Sequence, residues 1–398
     1  MSYLPNVHVL KDGDGNQAEI SRYGQQIMCE RHDDILCRFE YNNSPKDVTA
    51  TTTGTGATSN ANSMAIVASG TGVGTAKLAS VRYLTYRPAH EAYTYFTSVY
   101  SAGQDANTYQ YVGPHDAQDG WFFGYSGTTF GVARRKGGSD TFVARTSWNG
   151  DKCDGTGPSG FNFNPLMLNQ FNIEYGWLGI APCSFSIYGG QSRGWITCHT
   201  IDLGNSQTTP SILSPSLQLM VEAGRSSGSG TSVTVAIGSW AGGTDEGVHA
   251  HAGHRVFAGL ATKTLTGGVE TYVASFLNNS TFQSKLNKVR AEAVFMGAST
   301  DGTKNTTFYL YRNCTITAPS YTSVDATSSV MSVDLAGSKS GGVFELAIPM
   351  AKVDQLTLDL GAGHIHLELF PGEAMTISAL SASASDVQVA FRWEEYFS

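Results

Sequence analysis

Few residues in this sequence combine the types and spacing that chemistry needs. His364 and His366 form an HxH pattern, and strand alternation would put both imidazoles on one face, as a metal ligand pair requires. Glu368 joins that face opposite Ile365, Leu367 and Leu369, which is equally the pattern of a half-exposed strand. His249, His251 and His254 crowd a Gly-rich stretch, where a metal or pH-sensitive contact competes with a plain loop. NGDKCDGTG gathers Asn149, Asp151 and Asp154; their oxygens suit Ca²⁺, but the spacing departs from an EF-hand loop and also fits an Asx turn. Tyr109, Tyr111 and Trp148 flank turn signals, and rings on loops stack on sugars, so they are the candidate glycan contacts.

Catalytic signals are weak. Glu174 and Asp202 are the carboxylates that a glycosidase would set across a cleft, yet nothing local pairs them. GxSxG and HExxH are absent, and GTGVGTAK lacks the spacing of a phosphate-binding loop. The expectation is a non-enzymatic protein without a cofactor.

The elements that must position these residues read as strands. In FNIEY, Phe171, Ile173 and Tyr175 alternate with Asn172 and Glu174; Cys183, Phe185 and Ile187 repeat the pattern, and Trp195-Ile196-Thr197 opens a further run. WFFGYSGTTFGVARR reads as a hairpin turning at Ser126-Gly127. Upstream, Met64 to Val67, Val81 to Tyr86 and Ala92 to Tyr100 add apolar runs; downstream, Leu217, Leu219, Val221, Val233, Val235 and Ile237 add two more. No long helix is expected, SFLNNSTFQSKLN being the best candidate. The fold class is all-β, two antiparallel β-sandwich domains, the second jelly-roll-like, with an N-terminal arm. The divisions are 1–45 for a docking arm, 46–240 for the first sandwich, 241–255 for a Gly/His-rich linker and 256–398 for the second. A first strand plus leader is the alternative for the arm. In VRAEAVFM of the second sandwich, Val289, Ala291, Ala293 and Phe295 should share a face.

Composition narrows the function. Charged residues are 15% of the 398, against about 25% in ordinary soluble domains, so the surface is rich in hydroxyls and suits packing against neighbours. Net charge is −8, and the one compact basic cluster, Arg134-Arg135-Lys136, reads as a solvated hairpin exit, which argues against nucleic acid. No run of 18 apolar residues predicts a membrane span, and the first residues lack the basic-then-apolar order of a secretory signal. The six cysteines show no CxxC spacing and read as buried reduced thiols, consistent with synthesis in a reducing cytoplasm.

WFFGYSGTTFGVARR, SWNGDKCDGTGPSGFNFNP, FNIEYGWLGIAPCSFSIY and the closing PGEAMTISALSASASDVQVAFRWEEYF together resemble structural proteins of tailed-bacteriophage virions, the β-sandwich proteins of fibres, collars and head decorations. That resemblance implies a virion location, a homo-oligomer and an N-terminal region that engages another virion protein. Trimers are common among such appendages, although no heptad signals one here. The first sandwich also resembles concanavalin-like folds, which makes a lectin-like module for a host surface glycan the alternative function.

Overall fold

A computed structural model describes residues 31–88, 90–245, 254–360 and 367–397. The chain divides into two compact units, Met1–His249 and Ala250–Ser398. Both are built almost wholly of strands, and every strand pair among the described residues is antiparallel.

The first unit contains β1 (Arg31–Arg38), β2 (Val48–Gly54), β3 (Ala57–Ala61), β4 (Met64–Ala68), β5 (Gly74–Ser80), β6 (Glu91–Tyr100), β7 (Thr108–Pro114), β8 (Gly120–Ser126), β9 (Thr129–Lys136), β10 (Ser139–Ala144), β11 (Asn169–Gly176), β12 (Cys183–Tyr188), β13 (Trp195–Ile201), β14 (Leu219–Arg225) and β15 (Thr234–Asp245). One sheet runs β13-β12-β11-β6-β15-β4-β3, with β1 also on β15; the other runs β10-β9-β8-β7-β14-β5-β2. Alternation decides what lies between them. Phe171 and Ile173 of β11, Phe185 and Ile187 of β12, and Trp121 and Phe123 of β8 are all buried, and Phe123 packs 5.0 Å from Phe171 and 5.4 Å from Phe185 across the sheets. The β8–β9 hairpin turns at Gly127, whose φ of 60° is the left-handed conformation that glycine takes without strain.

Three expectations change in this unit. Residues 31–38, read as part of the arm with a first strand as the alternative, follow the alternative: they form β1 and pair with β15 from Arg38 opposite Ser239 to Arg31 opposite Asp245. The cause is a difference in strand length: β4 covers only Thr234–Ile237 of the long β15, and β1 takes the backbone groups left open beyond it. Residues 241–245, placed in the linker, are the end of that same β15, while 246–253 and 1–30 lie outside the described residues. The expected strand Val81 to Tyr86 is instead irregular chain after β5, although Leu84 and Tyr86 are buried by it.

The second unit has a five-stranded sheet around the strand Ser385–Tyr396 and a six-stranded sheet around Thr271–Asn278 and Ala374–Ser381. Their inner faces share a core in which Phe276 lies 4.7 Å from Phe391. Within Arg290–Thr300 a bulge between Ala293 and Phe295 shifts the register, so Ala291, Ala293, Met296 and Ala298 are buried and Phe295 is not. The extra residue flips the strand's phase, which a strict period-two reading of VRAEAVFM misses. SFLNNSTFQSKLN is the end of a strand followed by the small ribbon Thr281–Phe282 with Lys285–Leu286, not a helix.

Candidate functional site

The outer face of the eight-stranded sheet is set by the same alternation that fills the core. With Phe96, Phe171, Ile173 and Phe185 turned inward, their strand neighbours Tyr95, Thr97, Gln170, Asn172, Glu174, Ser184 and Ser186 turn outward. Register then aligns them: Ala241, Tyr95, Asn172, Ser186 and Thr197 form one row across β15, β6, β11, β12 and β13. Tyr93, Tyr95, Trp195 and Tyr188 make a continuous line of rings over this face, at centroid distances of 5.7, 5.4 and 5.4 Å. Trp195 is 41% exposed.

A groove of about 560 Å³ opens here, lined by Leu36 and Arg38 of β1, Tyr95 and Thr97 of β6, Gln170 of β11, Trp195 of β13 and Ser239 of β15. It is within the size range of small-ligand sites, which are mostly apolar with a few placed polar groups. Beside it, Asn172 Nδ2 donates to Glu174 Oε1 at 3.0 Å, while Asn172 Oδ1 and the Ser184 hydroxyl are buried without a hydrogen-bond partner. An unsatisfied buried acceptor costs about 1–3 kcal/mol, so these atoms favour a water or a ligand hydroxyl. β1, which walls the groove on one side, is the strand that sequence reasoning had assigned to an arm.

The residues expected from sequence fall elsewhere. Trp148 is 3% exposed and packs in the core 6.3 Å from Phe123, so it offers no ring to a sugar. Tyr109 and Tyr111 stack on each other at 5.2 Å on the outer face of the other sheet, in the body of β7 and not on a loop. Tyr111 is covered by Phe122 at 4.3 Å and by the Arg135 guanidinium, and Tyr109 lies flat over Gly224, where a Cβ would meet the ring at 2.4 Å. Arg135, read as a solvated hairpin exit, is buried: it pairs with Asp140 at 2.7 Å and Glu222 at 3.2 Å. Lys77 Nζ sits 2.9 Å and His115 Nε2 3.4 Å from the same Glu222. Burial alone would raise the Glu222 carboxyl, but His115, Lys77 and Arg135 together outweigh it and hold it well below the usual carboxylate range. This cluster is closed by its own contacts.

The loop aspartates are used by their own backbone. Asp151 accepts from the amides of Cys153 at 2.7 Å and Ser159 at 2.8 Å, and Asp154 from the Thr156 amide at 2.9 Å. Burial opposes ionisation of Asp151, and the hydrogen bonds from Ser159 and Cys153 overcome it, so its carboxyl stays low. These are Asx turns, and among the described residues no group of three or more His, Cys, Asp or Glu is placed to hold a metal ion. His364 and His366 lie outside the described residues, as do His249 and His251. Asp202 accepts from the Gly204 amide in an exposed turn after β13, with β12 between it and the strand of Glu174. The register puts Glu174 on the same outer face but one row along, opposite Tyr93 and Ser184, and leaves Asp202 beyond the end of β13.

Tyr95, Tyr188, Trp195 and Gln170 were not singled out from sequence. A signal existed: once Phe96 and Phe171 are assigned inward, their neighbours on β6 and β11 must face solvent together.

No protein-family model matches the chain, and no curated protein sequence matches it significantly. Among solved structures it is similar to lectin II from Ulex europaeus, at 12% identity over 54% of this chain and 99% of the lectin, TM-score 0.34. It is also similar to cellulose induced protein Cip1, at 15% identity over 52% and 96%, TM-score 0.34. A botulinum neurotoxin type C structure matches at 9% identity and TM-score 0.33, over 62% of this chain and 57% of the other, so the chain spans little more than half of that protein.

Proposed function

We propose that the first unit is a carbohydrate-binding module whose site is the groove on the eight-stranded sheet. The observation that carries this reading is the run of rings Tyr95, Trp195 and Tyr188, with Trp195 open to solvent, beside hydrogen-bonding groups from Thr97, Gln170 and Ser239. A pyranose ring has an apolar face, which stacks on an aromatic plane, and a rim of hydroxyls, which needs amide and hydroxyl partners at the edges of that plane. A line of rings matches a chain of sugars better than a single one, so a linear polysaccharide or oligosaccharide is the expected ligand class. The test is calorimetric titration of the full chain against a panel of surface polysaccharides and oligosaccharides. Saturable binding to at least one is expected, weakened tenfold or more, about 1.4 kcal/mol, by Trp195→Ala; absence of binding across the panel, or an unchanged affinity in the variant, refutes the assignment.

A second reading, in which the protein is a homo-oligomeric structural component of a phage virion, is supported by the hydroxyl-rich, charge-poor composition and by one feature of the second unit. Val343–Met350 and His254–Leu265 each lie at a sheet edge among the described residues, and Val343, Phe344, Val256 and Leu260 are exposed on them. Long edge strands with apolar side chains are prone to associate. Mass measurement of the purified chain in solution tests it: a stable oligomer is expected, and a monomer at all concentrations argues against a shell or fibre role. The two readings are compatible in a host-attachment protein.

A further inference from the structure

We propose that Cys153 and Cys198 are a disulfide-forming pair that staples the loop after β10 to the open edge of β13. The two sulfurs stand 3.5 Å apart, and both side chains are fully buried. Closing to a disulfide bond of about 2.05 Å requires each sulfur to move by only about 0.7 Å.

The backbone around the pair is already held in place. β13 ends its sheet, and the loop covers its free edge: the Gly150 amide donates to Cys198 O at 3.0 Å, the Asp151 amide to Thr197 O at 3.1 Å, and the Thr200 amide to Asn149 Oδ1 at 2.9 Å. Cys153 itself sits at φ 51°, a left-handed conformation that a residue with a Cβ adopts only when its surroundings impose it. Those surroundings are the Asp151 carboxylate on its amide, and the Phe163 amide and Arg145 guanidinium on its carbonyl. A strained backbone pinned from both sides, aiming one thiol at another, is the arrangement a cross-link needs. Cys183, also buried, is opposite Tyr175 and Ile201 in the sheet.

The reaction with glutathione disulfide balances simply. One cysteine thiolate attacks a glutathione sulfur and releases reduced glutathione; the second cysteine then attacks the mixed disulfide and releases another. The protein loses two hydrogens and the oxidant becomes two thiols. Because burial suppresses the thiolate of Cys198, the folded reduced protein should react slowly and the bond should form during folding, before the loop closes over β13.

The experiment refolds the full chain in a glutathione redox couple or in a phosphine reductant and maps peptides without reduction. Expected are a Cys153–Cys198 linked peptide 2 Da lighter than its parts, and a melting temperature about 5–10 °C above that of the reduced protein. That difference should vanish in Cys198→Ser and persist in Cys183→Ser. Cys153 and Cys198 both remaining free to alkylation after oxidative refolding, or linking to other cysteines, overturns the proposal, and neither result depends on a variant folding.

Discussion

Trp148 and Trp195 show how one residue type takes opposite tasks. The first is 3% exposed and closes the core beside Phe123; the second is 41% exposed and stands in line with Tyr95 and Tyr188. Replacing each by alanine should therefore separate stability from binding. Trp148→Ala should lower the unfolding free energy by about 3–5 kcal/mol, because it empties a core site. Trp195→Ala should leave the denaturation midpoint nearly unchanged and remove most glycan affinity. Chemical denaturation and titration of both variants measure this, and a large loss of stability in Trp195→Ala would mean the ring supports the sheet instead of a ligand. Neighbouring sequence does not distinguish the two: each lies beside a turn signal, Asn149-Gly150 after Trp148 and Gly194 before Trp195, and only the packing of the loop onto β13 puts Trp148 inside.

At the scale of the element, the two outer faces of the first unit have been put to different uses. On the eight-stranded sheet Tyr95 and Trp195 line a groove, with Trp195 open to solvent. On the seven-stranded sheet Tyr111 and Phe122 are roofed by Arg135, and the charge of Glu222 is balanced by Lys77 and Arg135, with His115 Nε2 3.4 Å away. The second arrangement ties β5, β9, β14 and the turn after β7 together through one carboxylate, and it has a pH signature. A carboxyl held low in the folded state contributes stability that is present above its unfolded value, near 4.5, and is lost as pH falls toward the folded value. Stability of the protein should thus decline on acidification below about pH 4.5. Glu222→Gln should flatten that slope and, at neutral pH, cost about 3 kcal/mol by leaving buried cations unpaired. Urea unfolding at several pH values reads both effects; an equal slope in the variant would place the acid sensitivity elsewhere.

For the whole molecule, two separate cores mean that function can be assigned by division. The first unit's core runs from Ile35 to Trp240 and the second's from Ala261 to Trp393. Residues 1–249 expressed alone should fold cooperatively and keep the full chain's glycan affinity within about twofold, since every groove residue lies there. Residues 250–398 alone should show no such binding. Retention of affinity by the second fragment and not the first would move the site out of the groove.

The all-β class and the identity of most core residues were legible in the sequence because burial in a sandwich has a period of two: Phe171, Ile173, Cys183, Phe185 and Ile187 could be assigned inward by counting alone. Counting fails where the ladder slips, as at Ala293 and Phe295, where one extra residue reverses the faces. It also says nothing about which strand neighbours which. β6, β11, β13 and β15 are far apart in the chain, so Tyr95, Gln170, Trp195 and Ser239 carry no local mark of belonging together, whereas Tyr109 and Tyr111 advertise themselves by being adjacent. Strand alternation set which side chains face water; the order of strands in the sheet, reached only through long-range pairing, decided which of them meet in a groove.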